Sequence, residues 1–141
     1  MSVISKRFAD ELNEPEMRHA FLGAQTRTKI ANQLRALRSQ RGWSQTKLGA
    51  EMGGVPQGNV ARFEDREEMN PRLESLVELA VAFDVGLIIE FVSYQDFIIR
   101  TRDLSPDHLQ VLSFDRQELD MLCEPNPAQG QPLSGAHRLA R

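Results

Sequence analysis

The sequence predicts a mainly α-helical fold, a bundle of four or five helices followed by a short β extension toward the C-terminus. Three observations predict it. Between residues 30 and 85 apolar residues recur at spacings of three and four. Gly42, Ser44, Gly53-Gly54 and Asn70-Pro71 punctuate that stretch at intervals that divide it into short helices. After residue 86 the period changes, and the run LIIEFVSY at 87–94 is β-branched and aromatic, as strands are.

The elements follow in order. Residues 1–13 read as a frayed leader. Asn13 is placed as a helix cap, with Pro15 in the first turn, where its missing N–H costs nothing. A helical stretch from Glu14 to Gln40 follows, with Gly23 as a point where it could break, and Ile30, Ala31, Leu34 and Leu37 give it one apolar face. Gly42 stops it. Ser44 caps a helix from Gln45 to Met52, whose Leu48 and Met52 face inward. The Gly53-Gly54 turn leads to a third short helix from Pro56 or Gln57 to Glu64, with Val60 and Phe63 inward. After Asn70-Pro71 a fourth helix carries Leu73, Leu76, Val77, Ala80 and Phe83. Residues 14–86 thus form one domain. Residues 87–100 form a β segment, in which a tight hairpin or a short helical turn both fit the run at 97–99. Residues 101–141 form an acidic tail, with either a short helix after Ser105-Pro106 or an extended arm, and disorder is expected from Glu124 onward.

Composition narrows the class. The chain has 141 residues and a formal net charge of -3. Residues 26–62 hold seven basic side chains against Glu51 alone, whereas residues 63–141 hold fifteen acidic and seven basic ones. A basic centre is therefore masked by an acidic second half, and such a centre is an electrostatic footprint for phosphate. The single cysteine, Cys123, cannot form an internal disulfide and fits a reducing compartment. With no long apolar run and no signal-peptide pattern, a cytoplasmic location and no membrane contact are expected. His19, His108 and His137 are scattered without metal-ligand spacing, and no phosphate-binding glycine loop occurs. No enzymatic activity, cofactor or metal is expected.

The unit that carries function is a helix stopped at Gly42, a short helix opened by Ser44, a glycine turn and a second short helix from Gln57. Two short helices joined this way pack crosswise, and the second can enter a DNA major groove about 12 Å wide. The segment LRALRSQRGWSQTKLGAEMGGVPQGNVARFED, with NPRLESLVELAVAFDV after it, resembles the Cro and phage-repressor family of helix-turn-helix domains, also called the xenobiotic response element family. The matching features are Leu37-Arg38, Arg41-Gly42, Ser44-Gln45, Leu48-Gly49, the glycine turn, Gln57 to Glu64 and the helix after Pro71. The chain departs from the family in three places: Gly54 lengthens the turn by one residue, Pro56 stands where Ser or Thr usually caps, and Gly58 replaces a residue that often helps contact DNA. The whole chain is also similar to a proteobacterial and prophage-type subgroup with a Phe-Val strand, here Phe91-Val92, and an Asp-Leu-Ser-Pro tail, here 103–106.

The resemblance implies double-stranded DNA as partner and assigns roles. Gln57 and Asn59 are the expected base readers, because a side-chain amide offers both donor and acceptor to a base edge, with bracing of Gln45 as the alternative role for Gln57. Gln45, Lys47 and Arg62 are expected at phosphates, with Arg41 and Arg38 as flanking contacts. Trp43 is expected as a core or hinge anchor. One such domain reads a site too small for tight specific binding, so a homodimer is expected. Ile88, Ile89, Phe91 and Val92 are the expected dimerisation residues, since an isolated strand needs a partner. Function is then read as a dimeric repressor occupying an operator. The alternative is an antitoxin, whose tail would bind a toxin while its helices repress the operon.

Overall fold

The computed structural model describes residues 3–123. The order of elements is α1 (Lys6–Glu11), α2 (Pro15–Gln40), α3 (Gln45–Glu51), α4 (Gln57–Phe63), α5 (Leu73–Phe83), α6 (Tyr94–Thr101), α7 (Pro106–Leu109) and α8 (Arg116–Cys123).

The bundle follows from the spacings. Leu34 and Leu37 of α2, Leu48 of α3, Val60 of α4, and Leu79 and Phe83 of α5 form one buried core, and Ile30, Met52, Val55, Phe63 and Leu76 pack against it. Trp43 joins this core, stacked on Phe83 with ring centroids 5.7 Å apart. Burying large side chains of this kind contributes roughly 1.5–3 kcal/mol each, the main force holding the short α3, α4 and α5, which would not be stable alone, against α2.

α2 runs 26 residues without a break at Gly23. At about 1.5 Å per residue it is long enough to serve two packing units. Its C-terminal half belongs to the core just described. Its N-terminal half carries a second, smaller cluster. Phe8 of α1 meets Phe21 edge-on at 5.1 Å, Phe21 meets Phe97 of α6 at 5.8 Å, and Tyr94 lies 6.4 Å from Phe97. The leader expected to be frayed is therefore partly helical: Ser5 caps α1 by accepting from the Phe8 amide, and Phe8 anchors it.

Beyond α5 the structure corrects the sequence reading. The expected C-terminal β extension at 87–94 is not formed, and no strand occurs among the described residues. Residues 86–92 are extended but have no neighbour with which to build a ladder, and a strand is defined by that pairing. Tyr94, placed in the strand by its aromatic character, opens α6. Ser93 caps this helix through the Asp96 amide, and Tyr94, Phe97, Ile98 and Thr101 recur at helical spacing. The rest of the chain folds back along α2. Gln25 donates to the Thr101 carbonyl and Gln33 to the Leu109 carbonyl, while Leu109 of α7 is buried. Of the two forms open for residues after Ser105-Pro106, the short helix is the one found. Nothing is buried on α8. The disorder expected from Glu124 onward lies outside the described residues.

Candidate nucleic-acid interface

The interface is built from α3, the turn and α4. The Ser44 hydroxyl accepts from the Lys47 amide and starts α3. Gly53 and Gly54 both take positive φ, +90° and +102°, so the lengthened turn needs glycine at both positions. The turn folds back on α3, where the Gly54 and Val55 amides both donate to the Gly49 carbonyl at 3.0 and 2.9 Å. Here α3 and the chain entering α4 touch so closely that a Cβ on Gly49 would fall 2.0 Å from the Val55 carbonyl oxygen. A glycine at this point fixes the crossing of the two helices.

A chain of polar contacts then locks α4 to α2. Gln57 donates to the Gln45 side-chain oxygen at 2.6 Å, and Gln45 donates to Glu64 at 3.2 Å. Glu64 accepts from the Arg38 guanidinium through both oxygens, at 2.7 and 2.9 Å. Arg38 also donates to the Trp43 carbonyl at 2.9 Å, and Arg35 donates to the Glu64 carbonyl at 3.2 Å. The Glu64 side chain is 3% exposed and that of Arg38 20%. A carboxylate so buried is tolerable because a bidentate guanidinium faces it. The hydrogen bond to Glu64 holds the Arg38 proton more tightly than usual, against the opposing effect of burial, and the attraction between the charges adds to it.

The expected DNA-contacting residues separate into two groups. Gln57, Asn59 and Arg62 are exposed on α4. On a helix of about 100° per residue, the positions two before and two after Val60 lie opposite that fully buried side chain. Those are Gly58 and Arg62, so Arg62 points straight outward, with Asn59 on one flank and Gln57 with Ala61 on the other. Among the described residues Arg62 has no ionic partner. Gln45 and Gln57 adjoin one another at the α3 and α4 N-termini. Lys47 is exposed and paired with Glu51 at 2.8 Å.

Arg38 and Arg41, expected as flanking phosphate contacts, are engaged inside the protein. The Arg41 guanidinium donates to the Phe83 carbonyl at 2.9 Å, the Ser113 hydroxyl at 2.7 Å and the Val111 carbonyl at 3.3 Å, and it lies 5.2 Å from the Phe83 ring centroid. Burial lowers its proton affinity, and Asp84 partly restores it. Sequence reasoning missed Glu64, the acceptor at the centre of the network. The available signal was its place four residues after Val60, on the same inward face.

Ile88, Ile89, Phe91 and Val92, expected at a dimer contact, are all exposed, with Phe91 at 105% and Ile88 at 81%. Among the described residues no group of three His, Cys, Asp or Glu side chains could hold a metal, and no helix is long and apolar enough to cross a membrane.

A family model described as helix-turn-helix matches residues 34–88. No curated protein and no solved structure matches the chain. The match begins inside α2, takes in α3, the glycine turn, α4 and α5, and ends in the extended segment, so it leaves α1, α2 as far as Gln33, and α6 to α8 outside it. Residues 34–88 are thus a helix-turn-helix domain of the Cro/C1 type, the DNA-binding domain of transcription regulators.

Proposed function

We propose that this chain is a sequence-specific repressor that binds an operator as a dimer, with α4 in the major groove. The observation that carries this reading is the contrast between the two sides of α4. Its inner side is locked to α2 and α3 by Val60 and by the Glu64 network, while its outer side offers unpaired polar groups. A helix held rigidly on one side and left free on the other suits a groove, because little ordering remains to be done on binding.

The roles follow from direction. Gln57 and Asn59 read base edges, and Gln57 is oriented for that task by its contact with Gln45. Arg62, expected at a phosphate from the sequence, is assigned here to a base. It stands on the outermost line of α4 beside Gly58, which has no side chain to hold a base pair away, and its planar fork matches the two acceptors of guanine. Gln45 and Lys47 then take phosphates, which requires Lys47 to exchange Glu51 for DNA. Arg38 and Arg41 support the domain from within.

Selection from a randomised duplex pool tests this reading. A palindromic site is expected, and recovery of no preferred sequence at moderate salt would refute it. Arg62→Ala is expected to cost about 1–3 kcal/mol on the selected site and to relax preference for one G·C pair. Uniform weakening on all duplexes, with a smaller salt dependence, would return Arg62 to a phosphate. The antitoxin reading draws on one feature, the exposed Met121 and Leu122 of α8, an apolar surface that the DNA reading does not use. Co-purification of a small protein expressed from an adjacent reading frame, lost on deletion of α8, would favour it.

A further inference from the structure

The outer face of α5 and the extended segment after it form one apolar surface. α5 is apolar on two sides. Leu79 and Phe83 enter the core, while Leu73, Val77 and Val81, spaced four apart, are exposed, Val81 at 72%. Leu87 and Ile89 lie beside them and complete a groove of about 410 Å³. Phe91 is two residues further along the same side of the extended backbone. At about 150–250 Å² for a large side chain, these six expose on the order of 700 Å². That exceeds the few hundred Å² usual on a monomer and approaches the roughly 800 Å² that each partner gives to a standard interface.

The backbone of the segment is equally unmatched. No N–H or C=O of residues 86–92 has a hydrogen-bond partner among the described residues. The segment is nevertheless held at both ends, by the left-handed Asp84 that closes α5 and by the Ser93 cap of α6. It is therefore a strand edge held open, and its side chains and backbone call for an extended, apolar partner.

We propose that this partner is a second copy of the chain, with the two segments pairing antiparallel about Ile89 and the outer faces of both α5 helices packing on the ribbon so formed. The inference rests on the dimeric reading above and specifies its interface. Three observations select this occupant. Pairing about Ile89 sets Leu87 opposite Phe91 and Ile88 opposite Glu90. Leu87, Ile89 and Phe91 of both copies then share one face, and the two Glu90 side chains do not meet directly. Glu90, the one charged residue of the segment, is already paired with Arg100 of its own chain at 2.8 Å, which lessens the repulsion between two copies although Arg100 also faces Asp96 at 3.6 Å. The remaining chain, residues 124–141, contains only Leu133 and Leu139 as large apolar residues, too few to cover this surface.

Sedimentation equilibrium of the full chain, together with disulfide trapping, tests the proposal. A dimer in the micromolar range or tighter is expected, and Ile89→Glu or Val81→Glu should weaken it by about 100-fold or more while leaving the helical circular dichroism unchanged. In a Cys123→Ser background, Ile89→Cys should crosslink to its mate on oxidation and Ile88→Cys should not. A monomeric wild-type chain overturns the proposal. So does a dimer that both glutamate variants leave intact, or one in which Ile88→Cys crosslinks in place of Ile89→Cys. Duplex selection on the same preparations separates the two readings. A monomer that still selects a sequence removes this interface and keeps the DNA reading, whereas the trapped dimer with no sequence preference keeps the interface and removes the DNA reading.

Discussion

Two regions of this molecule treat their polar and apolar groups in opposite ways. Around α4 the polar groups are matched from within: Gln57, Gln45, Glu64 and Arg38 form one connected chain of hydrogen bonds. Along residues 86–92 neither the backbone nor the apolar side chains are matched. The two regions are separated in sequence by residues 65–85, and α5, which lies within that stretch, takes part in both. Its inner side fills the core under α4 and its outer side borders the open segment. The difference teaches how such a domain divides its work. On the readings proposed above, the surface that reads DNA is stiffened in advance, while the segment proposed to meet a second copy keeps its hydrogen bonds and apolar contacts for that meeting.

The largest expected effect lies in the matched region. Glu64→Ala leaves the Arg38 guanidinium without its bidentate acceptor and Gln45 without its brace. Breaking one side of a buried ion pair typically costs about 3–5 kcal/mol, and the partial exposure of Arg38 argues for the lower end. Urea unfolding would report it as a lower midpoint at constant slope. A loss below about 1 kcal/mol would mean that water already carries the charge, as it does for surface pairs, and the contrast between the two regions would weaken accordingly.

An intermediate effect tests the assignment of a residue to the inside. Arg41 was readable from the sequence as a flanking phosphate contact, yet it clasps the carbonyls of Phe83 and Val111 and the Ser113 hydroxyl. Arg41→Ala should destabilise the chain by about 1–2 kcal/mol. It should also speed hydrogen exchange at the Val111 and Phe114 amides, which bond to Gln40 and Asp84 beside it. If stability were unchanged and the salt dependence of DNA binding fell instead by about one charge, Arg41 would belong on the phosphate side.

These cases show what the sequence made legible and what it did not. The core of α2 to α5 could be read because Leu34, Leu37, Leu48, Val60 and Phe83 recur with helical period, and local punctuation at Ser44 and Gly53-Gly54 divides the helices. Arg38, Arg41 and Glu64 could not be placed, because whether a charged side chain faces solvent or a partner 26 or 42 residues away depends on tertiary packing that periodicity does not encode. The segment at 87–94 departs from the strand that its sequence predicts for a related reason. Its β-branched composition specifies an extended backbone, but a strand also needs a neighbour, and within residues 3–123 there is none. Tyr94 is helical because Ser93 caps the turn that follows, a local signal that the aromatic run obscured.

The smallest expected effect concerns the segment that ties the end of α6 to α2, and it is a dependence on pH. Asp103 accepts from the Ser105 hydroxyl and amide, and these bonds, with lesser help from His108 and Arg102, hold its carboxyl below the usual range. A carboxyl with a depressed folded-state pKa adds stability that is present above its unfolded pKa of about 3.9. That contribution is lost as the pH falls through the lower folded value. Wild type should therefore lose a small margin in thermal midpoint over Asp103→Asn as the pH is lowered below about 4, with the difference flat from about pH 5 to 8. Should the difference instead change between about pH 5 and 8, the pH dependence would not belong to the Asp103 carboxyl. The turn into α7 would then not depend on the hydrogen bonds that Asp103 accepts from Ser105. The buried Leu109 beyond it would be held against α2 without help from that turn, which would move this segment from the matched side of the comparison to the unmatched one.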